Sequence, residues 1–144
     1  MTYQEKQAAW TGAREALALP AWIVGLSFLG VGGLAHDLGY PVAAAVLSTI
    51  LVYAAPAQLI LFTMLAGGAL LGAVALAIGL SAVRLLPMTL AIMPYLRRPG
   101  QSTAEQCLLA HTVAATVWIE NMRRLPDLPP EARVPFYAGF SLAC

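Results

Sequence analysis

Charge is what this sequence has least of. Between Asp37 and Arg84 there is no Lys, Arg, Asp or Glu, and an earlier run, residues 16–35, is equally bare. Only 10% of the 144 residues are charged, where a soluble domain carries about a quarter. The longer run is enough to cross a bilayer about twice at roughly 20 residues per helical crossing. A basic face is also missing: eight Lys and Arg against seven Asp and Glu leave a net charge of +1, which excludes nucleic acid as a partner. Period-two alternation is absent from the apolar stretches, which argues against a β-barrel. Cysteine is scarce. Cys107 and Cys144 stand far apart without ligand spacing and read as small apolar fillers, not a disulfide or metal site. No Gly-rich phosphate loop, His-Glu metal motif or Gly-x-Ser-x-Gly elbow occurs, so neither enzymatic chemistry nor a cofactor is expected. Without a nucleotide-binding module, any transport is secondary or powered by a separate partner.

What is present is a 60% hydrophobic chain whose apolar stretches are continuous and rich in Ala, Leu and Gly. That pattern predicts an all-α fold, a polytopic transmembrane helix bundle with Pro- and Gly-interrupted helices. Four spans are expected, at about 16–35, 41–66, 69–95 and 103–122, with another starting at 134. The first is too long for a signal-peptide core and is expected to stay in the protein. The apolar segment VPFYAGFSLAC at 134–144 is about half a span. The chain therefore reads as a single integral membrane domain, the N-terminal portion of a longer protein. A 69–95 segment folding back near Arg84 would leave four basic residues on each side. With one crossing at 69–95 instead, Lys6, Arg14, Arg123, Arg124 and Arg133 share one side and Arg97 and Arg98 the other. Positive charge concentrates on the cytoplasmic side, so the N-terminus is expected there. Gly68, Gly72, Ala75, Gly79 and Ala82 recur at helical spacing and predict a face that a neighbouring backbone approaches closely.

Several polar residues fall near span centres, where they are costly and usually face a bundle interior or a wet cavity. Tyr53, Pro56 and Gln58 lie in the second span, Arg84 in the third, and His111 and Thr112 in the fourth. Pro56 deprives the Val52 carbonyl of its helical donor, and Pro87 does the same to Val83. Broken helices near the midplane are the usual construction of secondary-transporter sites. Arg84 offers a planar fork suited to a substrate carboxylate. Gln58 offers a donor and an acceptor beside the proline break, and Tyr53, Pro56 and Thr112 complete the candidate substrate-binding set. His111, a residue type able to take and release a proton, is with Glu120 a candidate for proton coupling. Glu120 also has Arg123 and Arg124 as local partners. Glu105, Thr112, Thr116 and Glu120 are expected on one interior-facing stripe of a continuous fourth helix.

VYAAPAQL at 52–59, the glycine-rich helix after it, RLLP at 84–87 and PYLR at 94–97 together resemble the AzlC family. These are the large subunits of bacterial branched-chain amino acid exporters. The resemblance covers nearly the whole chain, including the Leu-Pro opening and glycines of residues 16–33. It implies a permease of the cell inner membrane exporting leucine, isoleucine or valine, and a small AzlD-like membrane subunit as partner. His111-Thr112 stands where many members carry Asp-Glu, and Ala82-Val83 where many carry an Asn before the Arg, which implies a divergent subgroup. The competing expectation is a non-transporting membrane scaffold whose polar residues dock that partner.

Overall fold

The computed structural model describes residues 3–144, all of whose regular elements are helical. The α-helices are α1 (Tyr3–Ala18), α2 (Pro20–Asp37), α3 (Val42–Leu51), α4 (Ala55–Ala66), α5 (Leu71–Ala82), α6 (Leu85–Leu96), α7 (Thr103–His111), α8 (Ala115–Arg124) and α9 (Pro130–Ala143). A 3₁₀ turn, Leu125–Asp127, precedes α9. No single helix among the described residues is long and apolar enough to cross a membrane. Two bent pairs, Tyr3–Ala18 with Pro20–Asp37 and Leu71–Ala82 with Leu85–Leu96, reach that length and composition together.

The order of elements occurs twice along the chain. Helix, short break, helix, glycine turn, helix, three-residue break and helix describes α1–α4, and the same words describe α5–α8. The glycine turns use Gly39 and Gly100, both at φ +78°, where a Cβ would be strained. Each three-residue break ends on an extended alanine, Ala54 at φ −153° and Ala114 at φ −118°, and the next helix opens at Ala55 or Ala115. The expected second, third and fourth spans are therefore each split, at 52–54, 83–84 and 112–114.

Two of the splits have a proline cause. Pro56 and Pro87 sit in the first turns of α4 and α6, where a missing N–H is tolerated but the preceding helix cannot be continued through it. The third split contains neither proline nor glycine. There the Thr112 hydroxyl lies 3.0 Å from the Leu109 carbonyl, while the Val113 N–H turns to Ala110 O at 3.2 Å. A threonine hydroxyl that competes for a helical carbonyl loosens the helix at that point.

The chain divides into two compact units. One contains residues 3–25 with Pro87–Cys144, the other Leu26–Leu86. In the first, α1 packs along α9, around a core that includes Ala16, Ile92, Leu96, Val117, Tyr137 and Phe140. The approach is close because glycine stands at both crossings. A Cβ on Gly12 would collide with the Phe136 carbonyl oxygen, and one on Gly139 with that of Ala9. In the second unit α4 and α5 pack on each other as a hairpin turned at Gly67 and Gly68, the latter at φ +73°. Val31, Ala35 and Phe62 form its core, with the Tyr40 ring 5.0 Å from that of Phe62.

Three expectations need correction. A Cβ at Gly72 or Gly79 of α5 would meet nothing within 4 Å among the described residues, so the close approach expected along that stripe is made instead by Gly12 and Gly139. The stripe from Glu105 to Glu120 is not continuous, because the helix breaks at 112–114, and Glu105 is exposed at the start of α7. Cys107 is exposed rather than filling a core, while Cys144 is partly buried. The polar helix α1 has no continuous apolar stretch, so the pattern of apolar spans carries no expectation for it.

Candidate functional site

The break at 52–54 is built by Pro56. Without a Pro56 N–H, the Val52 carbonyl lacks its helical backbone donor. It accepts instead from Ala54 N at 2.7 Å and from the Gln58 side chain, whose Nε2 donates to it at 2.8 Å. Gln58 is 0% exposed. Because only the amino end of the carboxamide can face a carbonyl, this bond fixes which way the group points. Its other end, Oε1, is buried without a hydrogen-bond partner among the described residues. Tyr53 lies in the same break, half-buried, with its ring 6.1 Å from that of Phe28. Pro56 is exposed on the first turn of α4.

Arg84 lies at the split between α5 and α6. Its side chain is exposed and has neither an ion pair nor a hydrogen bond among the described residues. Gln58 and Arg84 belong to the same compact unit. Both stand toward the end of the α4–α5 hairpin opposite the glycine turn, about 12 Å and about 20 Å from it at roughly 1.5 Å per residue.

The break at 112–114 is occupied differently. The Leu109 carbonyl, released by the turn of Val113, accepts from the Tyr137 hydroxyl of α9 at 3.0 Å. Thr112 Oγ1 lies 3.2 Å from the same Tyr137 oxygen. Thr112 is thus engaged in a local network that closes this break, and His111, last residue of α7, is exposed. Glu120 pairs with Arg123 across 3.8 Å. It also lines an open cavity of about 360 Å³ with Glu15, Leu19, Thr116, Arg124 and Phe140. Arg124 grips Glu15 through both guanidinium edges, Nε to Oε2 at 2.8 Å. That carboxylate raises the arginine above its ordinary value.

Of the seven candidates, Tyr53, Pro56, Gln58 and Arg84 fall in one unit, and His111, Thr112 and Glu120 in the other. Tyr137, Asn121 and Trp118 were missed. Tyr137 is 0% exposed, and its role depends on α9 lying over the α7–α8 break. Asn121 donates to Val117 O at 2.8 Å and leaves Oδ1 buried without a partner, as the Trp118 Nε1 is left. Polarity inside an apolar helix was the available signal for Asn121, and the neighbouring charged residues masked it.

A family model described as AzlC protein matches residues 11–144. No curated protein and no solved structure matches.

Proposed function

The chain belongs to the AzlC family, and from that premise we propose that it is a secondary transporter subunit of the cell membrane. The substrates are branched-chain or similar small apolar amino acids, and the direction is export. The observation that carries this reading is the proline-broken apolar segment α3–α4, with the freed Val52 carbonyl and the buried Gln58 at its break. Short or proline-interrupted apolar segments are a pointer to a transporter's binding region.

In this mechanism the substrate carboxylate meets Arg84, an unpartnered guanidinium beside a broken helix. Gln58 supplies a hydrogen bond from the neighbouring proline break. Exposed apolar side chains such as Leu76 and Leu80 of α5 suit lipid or the helix of a partner. The open Gly72 and Gly79 face suits the small AzlD-like subunit in the same way. The N-terminus, with Lys6 and Arg14, lies on the cytoplasmic side.

Binding tests the reading directly. Leucine is expected to raise the melting temperature of the purified protein, since a ligand that binds only the folded state stabilises it. Arg84→Ala is expected to weaken that binding by about 10- to 100-fold, the range of a lost charge-assisted hydrogen bond. Equal stabilisation of both proteins would remove Arg84 from the site. No stabilisation by any branched-chain amino acid would remove this substrate class.

A further inference from the structure

We propose that the Gln58 side-chain oxygen is the receptor for the substrate's ammonium group, so that this site distinguishes amino acids from the matching 2-oxo acids. The inference rests on the exporter reading and goes beyond it by assigning the selectivity to one atom.

The Gln58 carboxamide is not free to reorient. Its Nε2 is committed to Val52 O at 2.8 Å, and that carbonyl has no N–H available from Pro56. Rotating the amide by half a turn would set its oxygen against the carbonyl and lose the bond, so Oε1 is held as an acceptor. It lies on the same small group as the Nε2 and therefore in the break itself. The residue is 0% exposed and Oε1 is without a partner. A buried acceptor left unpaired costs about 1–3 kcal/mol, which an arriving N–H donor removes.

The surroundings favour a cationic donor over a neutral one. The break follows the C-terminal end of α3, where successive carbonyls carry the negative end of the helix dipole. It precedes the N-terminal end of α4, whose first N–H groups carry the positive end. A zwitterion fits such a junction with its ammonium toward α3 and Oε1 and its carboxylate turned away. A 2-oxo acid with the same side chain offers a carbonyl oxygen where the ammonium would be, and two acceptors then oppose each other. Arg84 does not make this distinction, because both molecules carry the carboxylate.

The test measures binding of leucine and of 4-methyl-2-oxopentanoate, which shares its side chain and carboxylate, to the purified full chain. Wild-type protein is expected to bind leucine at least about tenfold more tightly, the scale of one charge-assisted hydrogen bond. Gln58→Met keeps the length of the side chain and removes both polar ends; it is expected to lose most of the leucine affinity and all of the preference. Gln58→Glu, protonated in this buried setting, keeps a donor for Val52 and an acceptor for the ligand, and is expected to retain the preference. A purely structural glutamine would weaken both ligands equally, and an unchanged ratio in a folded Gln58→Met protein would overturn the assignment. So would loss of the preference in a folded Gln58→Glu protein. If wild-type protein binds leucine without preferring it, this inference falls and the exporter reading stands; if it binds neither ligand, both fall.

Discussion

At the scale of single residues, the two breaks show how one defect is repaired in two ways. At 52–54 the carbonyl freed by Pro56 is met by Gln58, whose oxygen is left over. At 112–114 the freed Leu109 carbonyl is met by Tyr137 from another helix, with Thr112 close by. The roles should separate accordingly. Tyr137→Phe removes a donor from a buried network and is expected to cost about 1 kcal/mol in stability, read as a lower melting temperature. Leucine affinity should not change; a large loss of affinity at unaltered stability would move Tyr137 into the binding site. Proline logic made the first break legible in the sequence, because a missing N–H always leaves one named carbonyl without its donor. The second was not legible, because its cause is a threonine hydroxyl and a tyrosine 25 residues later, and nothing local announces that pair.

At the scale of elements, glycine decides which helices approach each other. The stripe Gly72–Gly79 was readable as a small face but not as an open one, since spacing says which side chains share a face and nothing about what lies against it. The contact is made by Gly12 and Gly139, which stand alone in their helices and form no stripe. Gly139→Ala would drive a methyl group into the Ala9 carbonyl and force α1 away from α9. A cost of about 1–3 kcal/mol is expected, as for other overpacked contacts, and thermal unfolding of the purified protein measures it. Gly72→Leu meets open space and should leave that unfolding temperature unchanged. It should instead reduce co-purification with an AzlD-like subunit, if that subunit's helix lies on this face. Undiminished co-purification would place the partner elsewhere.

At the scale of the whole molecule, the all-helical class and the family were both written in the sequence: the first in the charge-free runs, the second in the order of VYAAPAQL, RLLP and PYLR. The repeated order of α1–α4 and α5–α8 was not. The two halves share almost no sequence pattern beyond a glycine before α3 and α7 and an alanine pair opening α4 and α8, so only the backbone reveals it. The polar helix α1 escaped for a related reason, because its partner surface on α9 is more than a hundred residues away. Export is read by leucine efflux from cells loaded with a leucine-containing dipeptide. The cells would express this protein together with its small partner subunit, beside matched cells carrying Arg84→Ala at equal abundance in the membrane. An exporter that works through Arg84 gives faster appearance of leucine outside the cells with the wild-type protein than with the variant or with neither. Equal rates in all three would contradict that role.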